Sequence, residues 1–421
     1  MIFLAPHQLR RLRQQRRPLV ALLVALFLLD ALVLLRGRPR TTRVTQDQYG
    51  KERPSVFIAS VHRNTANILP EWSAAVLALV DYLGKDKVYF SALESGSQDG
   101  TKAELLALQS ELAVRGISNT IDLGKDVYEQ LDEMWTRPDP DGPRQQGWIW
   151  NEEDNVYDLR RITYLAKERN RAMRPLEELE RIGTKFDKIL WINDVVFNTE
   201  DFLTLLRTND GKYAAACSMD YKHASQYYDT FALRDDVGHK TASNLWPWFL
   251  SPTSREAAQR SEPMRVESCW NGMVLFDAAP FYGDAPLRFR AIPDSLADLH
   301  LEGSECCLIH ADNPLSAHES SGVWLNPNVR VGYSAATYNA VQGIQGATFP
   351  GPFTTIMGAW AYRWMRWRAP LQYHLERTSV VKRVRKWRNA TPRGETLREE
   401  PGVNCLINEK QIMWMNGWRH L

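Results

Sequence analysis

Where the apolar runs of this 421-residue chain stop, carboxylates and amides cluster. Ser55 to Val61 (SVFIASV) runs into His62-Arg63-Asn64, and Lys87 to Leu93 (KVYFSAL) runs into Glu94-Ser95-Gly96-Ser97-Gln98-Asp99-Gly100-Thr101. Lys188 to Ile192 (KILWI) stops at Asn193-Asp194-Val195. Carboxylates in such settings hold hard divalent cations through oxygen, or accept hydrogen bonds from hydroxyl and ring N–H groups. Farther along, Tyr228 to Asp235 (YDTFALRD) brings Asp229, Arg234 and Asp235, and Trp270-Asn271 follows. These are sugar-friendly groups, because carboxylates fix pairs of hydroxyls and a tryptophan stacks on a pyranose face. Arg169 beside Asn170 offers a planar fork of donors suited to phosphate. Glu305 stands in Gly303-Ser304-Glu305 ahead of an apolar run, and His310 follows in Leu308-Ile309-His310-Ala311-Asp312.

Elements of alternating type must position these groups. The three apolar runs read as short buried strands, and Asn119 to Leu123 reads as another. Between them Trp72, Val76, Leu79, Val80 and Leu83 recur at helical spacing, as do Leu105, Leu108 and Leu112. After a Pro/Gly/Trp-rich excursion from Thr136 to Trp150, Ile162, Leu165, Arg169, Met173 and Leu176 space a third helix. Thr101 with Glu104 is expected to form a capping box at the start of the second helix. Strands alternating with amphipathic helices predict an α/β protein with a mostly parallel sheet, whose ligands bind beyond the carboxyl ends of the strands. The polar clusters sit at those ends.

Composition excludes several classes. With 44% hydrophobic and 24% charged residues and no low-complexity tract, the chain is not a disordered, collagen-like or disulfide-miniprotein sequence. Its net charge of +2 hides an asymmetry. Residues 1–43 carry nine Arg against Asp30, and residues 361–393 carry ten Lys or Arg against Glu376, so the middle is acidic. That argues against a central nucleic-acid-binding surface. Residues 18–35 are apolar apart from Asp30, enough for about 27 Å of helix, and predict a single membrane span. Five arginines from Arg10 to Arg17 favour a cytoplasmic N-terminus. A cleaved signal peptide shares this layout, but no small-x-small site follows the run cleanly. The five cysteines contain no CxxC, suit an oxidising lumen and leave at least one unpaired. Trp360, Trp364 and Trp367 lie among basic residues, a pattern suited to an anionic membrane surface.

Taken in order, these motifs resemble a known design. Glu94 to Thr101 is similar to the acidic turn of nucleotide-sugar glycosyltransferases of the GT-A type. More closely, Ile162-Thr163-Tyr164-Leu165-Ala166 with Arg169-Asn170 and Pro175-Leu176, then Ile192-Asn193-Asp194-Val195, Tyr228-Asp229-Thr230-Phe231 and Cys269-Trp270-Asn271-Gly272 resemble the fungal capsule-associated α-1,3-mannosyltransferases, glycosyltransferase family 69. Ser304-Glu305-Cys306-Cys307-Leu308 and Asn326-Pro327-Asn328-Val329-Arg330-Val331 extend the resemblance.

The resemblance implies an α/β GT-A catalytic domain over residues 55–350. Ahead of it stand a cytoplasmic tail (1–17), a transmembrane signal-anchor (18–35) and a stem (36–54), and a basic, aromatic extension (351–421) follows. It implies GDP-mannose as donor, a mannose-containing glycan as acceptor, a divalent metal (Mn²⁺ or Mg²⁺), and a lumenal domain on a single-pass type II Golgi membrane protein. Site roles follow from it. Asp194 and His310 are expected to hold the metal; Glu94, Asp99, Arg169, Asn193 and Asp194 the nucleotide diphosphate; and Asp229, Arg234, Asp235, Trp270 and Asn271 the sugar. Glu305 and Asp194 are the expected catalytic pair. Asn193-Asp194-Val195 lacks one carboxylate of the usual Asp-x-Asp. In an inverting enzyme Glu305 is the general base; in a retaining one it orients the acceptor, and the family's α-to-α transfer implies retention. A GT-A transferase with another donor or acceptor, and a catalytically silent lumenal scaffold for polysaccharide assembly, are the alternative readings.

Overall fold

The computed structural model describes residues 6–36, 40–43, 53–342, 348–415 and 417–421; in the first helix it describes side chains from Pro18 onward, Leu19 excepted. In chain order the elements are α1 (Pro6–Arg36), β1 (Val56–His62), α2 (Leu69–Leu83), β2 (Val88–Glu94), α3 (Thr101–Val114), β3 (Ser118–Asp122) and α4 (Val127–Trp135). There follow β4 (Trp148–Asn151), β5 (Val156–Leu159), α5 (Arg161–Arg181), β6 (Lys188–Ile192), α6 (Thr199–Leu206), β7 (Ala215–His223), β8 (Gln226–Tyr227), α7 (Pro252–Arg260), β9 (Met264–Val266) and β10 (Met273–Asp277). The chain continues through α8 (Asp294–Ala297), β11 (Glu302–Gly303), α9 (Glu305–Asp312), β12 (Val323–Gly332), α10 (Ala335–Gln342) and the long α11 (Pro352–Asn389). It ends with β13 (Leu406–Ile407), β14 (Gln411–Trp414) and β15 (Gly417–His420).

The apolar runs become the sheet. Its order is β3-β2-β1-β6-β10-β7-β12-β9, with β8 paired to β7. The β3-β2-β1-β6 half is parallel, β10 enters antiparallel, and β7 pairs with β12 in parallel. The expected mostly parallel α/β sheet is therefore present. Because successive strand side chains alternate between faces, Val56 and Ile58 join a core with α2, α3 and α6. Phe57 and Ala59 join one with α5 and the C-terminal half. Both faces are covered, and functional groups are confined to the strand ends.

The start of α3 departs from expectation. Thr101 is its first helical residue, and no side chain caps Gly100. Thr101 Oγ1 instead donates to Asp99 Oδ1 and accepts from the Thr65 N–H, tying the turn after β2 to the turn after β1.

Two boundaries also move. The C-terminal extension is no separate unit: β13 pairs with β11, Cys405 is bonded to Cys307, and Arg160 of the β5–α5 junction bridges to Ile412 of β14. The stem is not wholly a spacer. Thr42 N–H donates to Asn328 Oδ1, Arg43 pairs with the buried Asp201, and Arg330 donates to Thr41 Oγ1. The Asn326–Val331 motif supplies those contacts because β12 shifts register between Leu325 and Arg330, which takes Asn328 out of the ladder just before Arg330 pairs with Met219 of β7.

Among the described residues no helix is long and apolar enough to cross a membrane, so the expected span at 18–35 is not found there. It falls on α1, whose continuous run of described side chains begins only at Val20. The expected tail, 1–17, lies outside the described side chains. Helix α1 leans on α11, with Phe27 against Trp360 (5.3 Å) and Asp30 paired to Arg363 (2.6 and 2.7 Å). That pairing gives Asp30 a partner within the chain.

Candidate active site

The end of β6 is held from both sides. Asn193 N–H donates to the Gly272 carbonyl, and the Trp72 indole donates to the Asn193 carbonyl. The Trp270 indole donates to Asn193 Oδ1 at 2.9 Å. An indole N–H only donates, so the amide oxygen is fixed toward Trp270 and the NH₂ remains for the cavity that Asn193 lines. Asp194 follows. Among the described residues its carboxylate accepts only from its own backbone N–H, and desolvation pushes its pKa up to about 6. A half-buried carboxylate with no neighbour committed to it is free to meet a ligand.

Beside it lies a set of groups that the sequence did not single out as a unit. Asp220 on β7 is fully buried and accepts from Asp229 N–H (3.1 Å), Asn271 Nδ2 (3.3 Å) and Tyr333 Oη (2.9 Å). Burial first, and the neighbouring Asp229 second, push the Asp220 pKa up to about 7. Asp229 accepts from the N–H groups of Phe231 and Ala232, which fixes its carboxylate at the cavity wall. The turn that delivers Asn271 needs Gly272. Its φ is +88°, and a Cβ there would lie 2.5 Å from Val331 Cγ2.

Glu305 is the first residue of α9, behind the N-cap Ser304 whose hydroxyl accepts from Cys306 N–H. The helix N-terminus favours a carboxylate there. Its Oε1 accepts from Arg169 Nε at 3.0 Å, and the Arg169 guanidinium lies 4.4 Å from the Trp270 ring centre. Arg169 and Glu305 thus form an ion pair at the wall of a cavity of about 780 Å³, which Asn193, Asp229, Trp270 and Tyr333 also line. The β14–β15 hairpin also lines the cavity, through Gln411, Trp418 and His420, with Arg161 at the start of α5 in contact with it.

Glu94 and Asp99 lie elsewhere, at the end of β2 and in the turn that follows it. Glu94 is fully buried; Oε1 accepts from Ser97 N–H, while Oε2 has Lys102 at 3.3 Å but no aligned donor. Nearby, Arg63 keeps Nε and Nη2 buried without an acceptor, and Gln130 keeps Oε1 without a donor. Desolvation lowers the Arg63 pKa, opposed by Tyr164 and Glu94. Orphaned buried polar atoms of both signs suit a nucleotide, which brings hydroxyls, ring N–H groups and phosphate oxygens. Asp99 is more committed. It accepts from the N–H groups of Ala66 and Thr101, so its immediate role is to hold the two turns together.

Several expected ligands turn out to be framework. His310 is 1% exposed, its Nε2 meets the Cys269 carbonyl at 2.6 Å, and desolvation holds its pKa down near 4. Like Asp194 it does not line the cavity of Asn193, and its Nε2 is spent on that carbonyl. Cys217, Cys269 and His310 lie close together, but the two cysteines are a disulfide and offer no thiolate. Arg234 spends its guanidinium on the carbonyls of Phe231, Leu233, Asn404 and Cys405, clasping the C-terminal segment. Asp235 caps its own turn through the N–H groups of Val237, His239 and Ser251. Asn271 is buried behind Asp229 and is not presented to a sugar as the sequence suggested, whereas Trp270 lines the cavity with Arg169 over its ring. Arg169 does line the cavity, but paired with Glu305. For a divalent cation, Asp194 fits as a single protein carboxylate whose remaining ligands are diphosphate oxygens and water, a common arrangement for Mg²⁺.

Sequence comparison agrees with the motifs. The family model described as Cryptococcal mannosyltransferase 1 matches residues 55–312. Alpha-1,3-mannosyltransferase CMT1 of Cryptococcus neoformans var. neoformans serotype D is 27% identical over 262 residues, which is 58% of this chain and 50% of that protein. The chain thus spans about half the length of that relative. Among solved structures, the mannosyltransferase PcManGT of Pyrobaculum calidifontis in complex with GDP-Man and Mn²⁺ is 12% identical, with TM-score 0.36 over 87% of this chain and 84% of that one. Glucosyl-3-phosphoglycerate synthase of Mycobacterium tuberculosis is 14% identical, with TM-score 0.30 over 74% and 80%. These structural likenesses are slight, and the family match rests on sequence. With more than half of its length matched and the motif-bearing strand ends inside the match, the chain belongs to the cryptococcal mannosyltransferase 1 family of glycosyltransferases.

Proposed function

We propose that this protein is a retaining α-1,3-mannosyltransferase of GT-A type that moves mannose from GDP-mannose to a mannose-containing glycan. The observation that carries the reading is Asp194, a carboxylate without a side-chain partner among the described residues, at the end of a central strand. Orphaned polar groups at Arg63, Glu94 and Gln130 suit a nucleotide, and a separate cavity lies at Asn193. Mn²⁺ or Mg²⁺ held by Asp194 would neutralise the departing diphosphate. Glu305, fixed by Arg169 and only accepting hydrogen bonds, orients the attacking acceptor hydroxyl; in the retaining course the departing phosphate oxygen takes the acceptor proton. The family and the relative support mannose as the transferred sugar. The test is transfer from a panel of nucleotide sugars to mannobiose, with and without Mn²⁺. An α-linked product formed from GDP-mannose only with metal supports the reading. A β-linked anomeric proton by NMR makes the enzyme inverting, and no transfer from any donor favours the scaffold.

The same proposal seats the protein in a Golgi membrane through residues 18–35, with the catalytic domain lumenal. Exposed Val20, Leu22, Leu23 and Leu26 on α1 support it, as do exposed Phe353, Met357, Trp364 and Trp367 on the α11 segment that touches it. Two disulfides suit an oxidising compartment. Alkaline extraction of membranes from expressing cells tests it: the full chain stays in the pellet, and release into the supernatant overturns it.

A further inference from the structure

One wall of the catalytic cavity lies outside the region that defines the family. The family match ends at residue 312, whereas β14 begins at Gln411. Helix α5 presents Arg161, Leu165 and Arg169 to the cavity at successive turns. Arg169 belongs to Glu305, but Arg161 belongs to the hairpin: its Nη1 donates to Gln411 Oε1 at 2.6 Å, and its guanidinium lies 4.4 Å from the Trp418 ring centre. Among the described residues Arg161 has no carboxylate within ion-pair distance; a neutral amide and an aromatic face hold it. Gln411 is pinned in turn by donating to Glu409, and the Arg160–Ile412 bridge fixes β14 to the start of the helix. Trp418 nevertheless remains 43% exposed, and the His420 ring stands edge-on to it at 4.7 Å. His420 Nδ1 is turned to Glu409, leaving Nε2 for another partner.

A rigid, partly exposed indole backed by a cation, with an imidazole beside it, has the chemistry of a carbohydrate subsite. The cavity shares Asn193 with the end of β6, but Arg63, Glu94, Asp99 and Gln130 do not line it. The groups suited to a nucleotide are therefore not part of the cavity that the hairpin lines. We propose that the C-terminal hairpin is the acceptor subsite: Trp418, backed by Arg161, takes the face of a mannose unit next to the reacting one, and His420 Nε2 takes one of its hydroxyls. This rests on the mannosyltransferase reading above, and it makes the C-terminal segment the determinant of which glycan is extended.

Two measurements on the full chain test it: steady-state kinetics with GDP-mannose and α-mannotriose, and saturation-transfer NMR of α-mannotriose alone. Trp418→Ala is expected to raise the acceptor KM roughly tenfold with donor KM unchanged, and to abolish saturation transfer. Trp418→Phe, which keeps a ring over Arg161, is expected to restore most of both and guards against misfolding of the hairpin. An unchanged acceptor KM, or a donor KM that rises in parallel, overturns the subsite. If the wild type transfers nothing from GDP-mannose but binds mannotriose through Trp418, the donor assignment fails and the subsite stands. A wild type that transfers mannose yet shows Trp418-independent mannotriose binding, or none, overturns the subsite and leaves the function intact.

Discussion

The proposed role of Asp194 rests on its carboxylate having no side-chain partner among the described residues. Desolvation raises its pKa to about 6, above the ordinary carboxylate value, so between about pH 4 and 6 the native state binds more protons than the unfolded one. Its contribution to stability therefore falls as pH rises through that window. Asp194→Asn is expected to raise Tm by a few degrees at pH 7.5, with the gap closing below about pH 4, while transfer falls at least ~100-fold. A lowered Tm at pH 7.5 would show that the carboxylate is a structural anchor. Activity of the wild type should rise with pH through about 6 as Asp194 ionises, read from a pH–rate profile. Glu305→Gln addresses the second acid. The amide leaves the Arg169 guanidinium without its counter-charge, which is expected to cost about 2–4 kcal/mol in urea unfolding. It still accepts a hydrogen bond, so acceptor KM should rise more than kcat falls. A loss of ~10²–10⁴ in kcat at saturating acceptor would assign Glu305 as a general base and the enzyme as inverting.

At the scale of elements, the four strands of the parallel half of the sheet, β1, β2, β3 and β6, were legible and their functional ends partly so. KILWI and KVYFSAL are continuous apolar runs, and such runs form strands buried on both faces whatever surrounds them. Asn193-Asp194 and Glu94 were therefore placed at strand ends before any coordinates. What Arg234, Asp235 and His310 do was not legible, because a polar side chain in a turn looks the same whether it faces a ligand or a backbone carbonyl. Asp220 and Tyr333 were missed because they meet only when β7 and the end of β12 lie side by side. The Cys307–Cys405 bridge, closing a separation of 98 residues, ties β13 and the hairpin behind it to α9. Replacing both cysteines by serine is expected to lower stability by about 2–5 kcal/mol and to raise acceptor KM before donor KM. Chemical denaturation with parallel kinetics checks both, and an unaltered acceptor KM would show that the hairpin is held by α5 alone.

For the whole molecule, the contacts of the catalytic fold begin inside the nominal stem. Arg43 pairs with Asp201, which is fully buried and also accepts from Tyr338 and Gln342, and Thr41 and Thr42 meet Arg330 and Asn328. Deleting residues 1–39 is expected to leave Tm and transfer close to those of the full chain. Deleting 1–52 strands the Asp201 charge and is expected to cost about 3 kcal/mol or more. Equal melting of the two truncations would show that Arg43 contributes nothing. Trp364 and Trp367 are exposed on α11, the helix that meets the exposed apolar side chains of α1 through Phe27 and Trp360. The two helices are thus expected to leave water together.

The sequence by itself determined the strands β1, β2, β3 and β6 with helices α2, α3 and α5, the acidic strand ends, the apolar N-terminal run and the family. Each of these is written in contiguous residues, through period, burial and turn chemistry. Tertiary structure decided which polar residues are ligands and which are struts. It returned His310, Arg234, Asp235 and Asn271 to the framework and paired Arg169 with Glu305. It also brought Trp418 and His420, more than a hundred residues beyond Glu305, into the same cavity. The physical reason is that a buried polar group must find a partner wherever the fold supplies one. Those partners lie across the sheet or at the far end of the chain, where spacing in sequence carries no information.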